Sequence, residues 1–259
     1  MDNQPLESDF GFTGSAILAQ MDRSSTNRRQ LAGLFAVGAL AMVVLLLSHP
    51  HEHAGTFADL VEFEVRHRVL NQFVHGGAIV VLILLLAAHV ALARAAASTF
   101  SLTEVVAVTA FGAGCILMMS SLVLDGFVTT TLAVTYRAAE DTSVQLAIQA
   151  QLRFCALIIR TLMPMALLAF AGSAVAWLRP LLHYGGRGRL IGWLGGVIGV
   201  TIGLMISAAT PATSNHAILV GLFLISLWQF ALAVMVQGGP SVTSAANGSG
   251  ARDGNRVVR

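Results

Sequence analysis

Six apolar runs dominate this chain, each near the ~20 residues that a helix needs to cross ~30 Å of hydrocarbon. They cover roughly residues 31–48, 76–97, 104–124, 154–178, 190–209 and 217–236, the third extending as far as Val134 on a generous reading. In lipid every backbone N–H and C=O must be bonded within the protein, so a single apolar segment of this length can only cross as a helix. Composition agrees: 56% of residues are hydrophobic and 11% charged, where a soluble domain carries about 25% charge. The expected fold is all-α, a polytopic bundle of six transmembrane helices with the lipid bilayer as its partner. The formal net charge of +2 is too small to suggest a nucleic-acid partner.

Three regions follow from this pattern. Residues 1–30 read as a polar cytoplasmic tail with a short helix around Ala16–Met21. Residues 31–236 form the transmembrane domain. Residues 237–259, rich in Gly, Ser and Asn, read as a disordered cytoplasmic tail. Ser48–His49–Pro50 follows the first run where a signal peptide would place small cleavage-site residues, so that run reads as a retained anchor. Orientation comes from arginine, the only basic side chain besides histidine. One side collects Arg23, Arg28, Arg29, Arg94, Arg179, Arg187, Arg189, Arg252, Arg256 and Arg259; the other holds only Arg66, Arg68, Arg137 and Arg153. The positive-inside rule then makes both termini cytoplasmic. Exclusive use of Arg over Lys is the mark of GC-rich codons and points to a bacterial inner membrane.

Cys115 and Cys155 lie far apart in apolar runs without a CxxC pair, and read as small packed residues. The fifth run repeats small residues at Gly195, Gly199, Gly203 and Ser207. That spacing lets another helix approach closely. It marks a packing seam inside the bundle or, alternatively, a homodimer face through Gly195, Gly199 and Gly203.

The loop after the first run is the most polar outward stretch. It opens with His49–x–His51–x–His53, which could take up metal from outside as short His-rich tracts can, although alternating histidines also occur in solvated loops. From Thr56 the pattern is helical, with Thr56 and Asp59 in the relation of a loose capping box. An outer amphipathic helix is therefore expected before the second span. Glu64, His67, Asn71, His75, Ala78, Leu82 and His89 share one face, since steps of three, four and seven keep side chains aligned. Polar groups on a membrane helix avoid lipid, so this stripe should face the interior.

Topology brings polar residues together at the outer boundary: His75 opens the second span, Asp125 closes the third, Arg153 and Arg160 lie near the start of the fourth, and His216 opens the sixth. One reading is a divalent metal site formed by His75, Asp125 and His216, with His67 as a fourth ligand or behind it, since imidazole and carboxylate are ordinary transition-metal ligands. Used catalytically, the same residues would make a metal-dependent membrane hydrolase or oxidoreductase. A second reading is structural, with Asn71, Arg153 and Arg160 pairing with these residues, and Asp125 forming an ion pair with Arg153 or Arg160. A proton or ion transporter is a third, because intramembrane ionisable groups often mark relays. Haem is disfavoured: His75 and His89 have the fourteen-residue spacing of a helix that holds two haems, but a partner helix with a second pair is missing.

Val74–His75–Gly76, Leu124–Asp125–Gly126–Phe127 and Asn215–His216–Ala217, in this order, resemble bacterial six-span integral membrane proteins known only as a domain of unknown function. The resemblance covers about residues 31–236 and implies the helical bundle without an activity. Membrane metal-hydrolases of the alkaline ceramidase type have seven spans and a paired-His motif in a late helix; here the sixth span offers His216 alone.

The orientation is testable. Reporter fusions near Glu62 and at the C-terminus should report opposite sides of the membrane, and the same side for both would overturn it.

Overall fold

The computed structural model describes residues 14–49, 56–96, 101–182, 185–210 and 214–238, with side chains in the first helix from Asn27. The expectations for the far N-terminus, for His51, His53 and His183, and for the tail beyond Gly238 lie outside the described residues. Every regular element among those described is helical: α1 (Gly14–Ser48), α2 (Phe57–Arg66), α3 (Arg68–Ala96), α4 (Leu102–Val123), a π-helical segment (Leu124–Thr129), α5 (Thr130–Ala138), α6 (Thr142–Leu182), α7 (Gly185–Ala208) and α8 (Ser214–Gln237). Six stretches are long and apolar enough to cross a membrane, carried by α1, α3, α4–α5, α6, α7 and α8. The chain is therefore an all-α polytopic bundle with an amphipathic helix, α2, before the second span.

Consecutive spanning helices are neighbours, and α1 also packs on α8, which closes the bundle into a ring. Short connections force this antiparallel order. Apolar residues point both ways, as a membrane helix requires. On α7, Ile198 and Ile202 are buried while Val197, Val200 and Leu204 face outward.

Several helices overrun the hydrocarbon. The helix that contains Asp125 continues to Ala138, and α6 begins at Thr142 rather than near residue 154. At 1.5 Å per residue, α6 is about 60 Å long, roughly twice the hydrocarbon thickness. The extra turns persist because they pack on each other and on α2. Phe57 meets Tyr136 edge to face at 5.2 Å, and Arg137 pairs with Glu62 at 3.3 Å. Thr56 and Asp59 cap α2 reciprocally, as the sequence suggests. Asp141 starts α6 by accepting from Ser143 N–H at 2.7 Å, and this bonding holds its carboxyl below the usual range. At the other extreme, α1 starts at Gly14, ahead of its membrane span, which begins at Asn27.

The core converges on His89, which is fully buried on α3. Trp177 Nε1 of α6 donates to His89 Nδ1 at 3.0 Å, and the Gln229 amide of α8 lies 3.0 Å from His89 Nε2. An indole N–H only donates, so Nδ1 accepts and Nε2 carries the ring proton. The amide end facing Nε2 is then chemically the oxygen, since amide O and N are assigned by such partners. Phe35 of α1 stands edge-on at 5.3 Å and Phe111 of α4 lies at 4.0 Å. Trp228 of α8 packs 5.6 Å away, and its indole nitrogen abuts Gly195 of α7. Every spanning helix thus reaches this centre directly or through one neighbour. Both ring nitrogens are taken by these side chains.

Gly195 and Gly199 are used inside the bundle. A Cβ at Gly199 would sit 2.6 Å from the Ala171 carbonyl oxygen, whereas one at Gly203 would meet nothing within 4 Å. Gly199→Leu should lower the melting temperature in detergent, at a cost of about 1–3 kcal/mol, and Gly203→Leu should leave it unchanged. His89→Leu should destabilise by a similar amount, because it strands the buried Trp177 N–H and Gln229 amide. Wild-type melting in that variant would refute the role of the histidine.

Candidate metal centre

The residues at one end of the bundle are matched in depth. His49, His75 and Asp125 each lie about 20 residues, or roughly 30 Å of helix, from a charged residue at the opposite end: Arg29, Arg94 and Glu104. That is the thickness of the hydrocarbon layer. Equal helix lengths thus carry the three side chains to a common level, and their ligand atoms lie within 4.8 Å of one another.

His75 is 1% exposed on α3, and two contacts fix its ring. Nδ1 lies 2.8 Å from the Asn71 main-chain oxygen, an acceptor, so Nδ1 carries a proton. Nε2 lies 3.1 Å from Asp125 Oδ2. With Nδ1–H committed, the gap between Nε2 and the carboxylate takes one cation, a proton or a metal ion. A metal-bound imidazole usually donates its other N–H to a backbone carbonyl in just this way, which fixes the tautomer and the ring plane.

Asp125 reaches His75 from the π-helical segment. A π turn holds one residue more than an α turn and re-aims the side chains next to it. Here it brings Gly126 against α3, where a Cβ would sit 2.5 Å from His75 Cβ and 2.6 Å from Cγ. Hydroxyls bond the carbonyls of the widened turn. Thr129 donates to the Asp125 carbonyl, Thr130 to that of Gly126 at 2.9 Å, and Thr131 to that of Phe127 at 2.7 Å. Asp125 is 26% exposed, so the carboxylate is only partly covered by the bundle.

His49 is the third member. It follows the last turn of α1, and its ring centroid lies 5.1 Å from that of His75. The ligand atoms of His49, His75 and Asp125 all lie within 4.8 Å of one another. Metal–ligand bonds of about 2.0–2.2 Å imply a tetrahedral edge near 3.4 Å. The 3.1 Å His75–Asp125 separation fits that edge.

The other expected site residues lie elsewhere. His216 is exposed at the start of α8 and lines an open, mostly apolar pocket of about 300 Å³ with Met205, Ala208 and Val220. His67 ends α2, with Nδ1 3.1 Å from the Phe63 carbonyl oxygen and its ring against Phe63 at 4.5 Å. Neither belongs to the group around Asp125. Arg153 and Arg160 are exposed on α6, and the ion pair expected between one of them and Asp125 does not form: the partner of Asp125 is His75. Both arginines lie on the exposed face of α6, while the Asp125 carboxylate is turned to α3. Asn71 is buried beside His75, and its Nδ2 donates to Glu64 Oε2 at 3.1 Å. Reading the HxHxH run as solvated misses His49. The usable signal was helix length, because a histidine immediately after a full span must lie level with His75.

No protein-family model matches the chain, and no curated protein or solved structure is significantly similar to it.

Gly126→Ala should push the His75 ring away from Asp125 and lower the melting temperature, at a cost of about 1–3 kcal/mol. Gly172→Ala, where a Cβ meets nothing within 4 Å, is the matched control and should melt as wild type.

Proposed function

We propose that this integral membrane protein holds a divalent metal ion at the aqueous edge of the bilayer, through His49, His75 and Asp125. The observation that carries the reading is the convergence of these three ligand atoms within 4.8 Å, with one imidazole already oriented by a backbone carbonyl. The arginine asymmetry supports an outward-facing site with both termini cytoplasmic, and the exclusive use of Arg over Lys supports a bacterial inner membrane.

A metal-dependent membrane enzyme is the second reading. Three protein ligands leave a coordination position for water, the arrangement of catalytic zinc, and Asp125 is only partly covered by the bundle. A proton or ion relay finds less support. Between the His75 and His89 levels, Leu82, Leu85 and Met118 are buried and apolar.

Elemental analysis of protein purified without added metal, followed by titration with Zn²⁺, Mn²⁺ and Co²⁺, tests the proposal. Wild type should bind about one ion per chain. His75→Ala should abolish binding, His49→Ala should weaken it, and His216→Ala should leave it intact. If wild type takes up none of these ions, the His75–Asp125 pair is structural, and Asp125→Ala should then lower the melting temperature in metal-free detergent.

A further inference from the structure

Asn71 has a side chain with one end satisfied and the other not. It is 3% exposed, one helical turn before His75 and on the same face of α3. Its Nδ2 donates to Glu64 Oε2 at 3.1 Å. An ionised carboxylate only accepts, so the amide orientation is determined: nitrogen toward Glu64, oxygen away from it. Asn71 Oδ1 is then fully buried without a hydrogen-bond partner among the described residues. Leaving a buried acceptor bare is costly, and native proteins rarely do so without a reason. A carbonyl oxygen can be satisfied by a donor or by a cation. The main chain of the same residue already anchors His75 Nδ1, so Asn71 and the proposed ligand move as one unit.

We propose that Asn71 Oδ1 is the fourth ligand of the metal centre, an inference that rests on the site of His49, His75 and Asp125. The complete set is two imidazole nitrogens and two oxygens, with no sulfur. Such a set suits borderline divalent ions such as Zn²⁺, Co²⁺ and Mn²⁺, and disfavours Cu⁺, which prefers thiolate and thioether. Four protein ligands also close the coordination sphere, the pattern of a site that holds its ion rather than one that activates a bound water. Asn71 thereby separates the two readings of the centre: it favours metal holding over hydrolysis.

The test uses the full chain in detergent, with Zn²⁺ affinity read by chelator competition and coordination read from the visible absorption of bound Co²⁺. Asn71→Leu should weaken Zn²⁺ binding at least about tenfold, the loss that even an outer partner of a metal ligand causes, and should change the Co²⁺ spectrum. Asn71→Asp should bind Zn²⁺ more tightly than wild type, because it adds a charge at the same oxygen. His75→Ala should bind neither ion. Metal-free melting supplies the folding control: Asn71→Leu removes a bare acceptor together with the Nδ2–Glu64 bond, so a cooperative metal-free melt is the sign that the variant folds. If wild type binds, His75→Ala does not, and Asn71→Leu matches wild type in affinity and spectrum, then Asn71 is not a ligand while the three-residue site stands. If Asn71→Leu fails to fold, an Asn71→Asp protein with wild-type affinity and spectrum overturns the proposal. If wild type binds neither ion, the site itself is lost.

Discussion

A single histidine, hydrogen-bonded on both ring nitrogens at the centre of six helices, organises this protein. Lipid offers no hydrophobic drive to bring helices together, so packing, polar contacts and the avoidance of bare polar groups decide which helices meet. His89 could satisfy its ring only by finding Trp177 on α6 and Gln229 on α8. That requirement selects those helices as its partners. The aromatic rings of Phe35 and Phe111 then fill the space around the imidazole from α1 and α4. Gly195 lets α7 close on Trp228 without a clash. The ring of helices is thus set by one polar group that had nowhere else to go.

The same physics acts differently at the edge of the hydrocarbon. There the helices leave lipid, and polar side chains can be both partly buried and reached by water. His75 lies inside the edge at 1% exposure and Asp125 at 26%, and α1 ends with His49 at the same depth. Helix length matched to bilayer thickness places all three at one level, and the π turn rotates Asp125 toward the imidazole. Beyond the edge, α2, α5 and the first turns of α6 pack together through Phe57, Tyr136, Glu62 and Arg137. This small outer layer braces the turns on which the centre depends.

Much of the bundle was legible in the chain because hydropathy and length act locally. The six spans, the capping box at Thr56 and the inward stripe of Asn71, His75 and His89 all follow from residue type and helical spacing. The site was legible only in part. His75 and Asp125 could be paired because topology put both at the same end. His216 shares that end yet lies apart from them, since depth along the membrane normal says nothing about position around the ring. His49 was hidden for the opposite reason: an alternating His run looks like solvated loop until its first member is counted as the end of a full span. The ion pair expected of Arg153 or Arg160 with Asp125 is absent because both arginines lie on the exposed face of α6 and the carboxylate is taken by His75.

The sequence by itself determined that this is a six-span helical membrane protein, which face of α3 turns inward, and which residues are available for coordination. Those properties depend on the period of a helix and the cost of polar groups in hydrocarbon, and both are read from consecutive residues. Only the tertiary structure decided that His49 joins His75 and Asp125, that Gly195 and Gly199 are used within the bundle, and that His89 is its centre. Each of these depends on the rotation and lateral neighbours of helices separated by dozens of residues. The one-residue offset of a π turn, or the width of one glycine, is enough to change them.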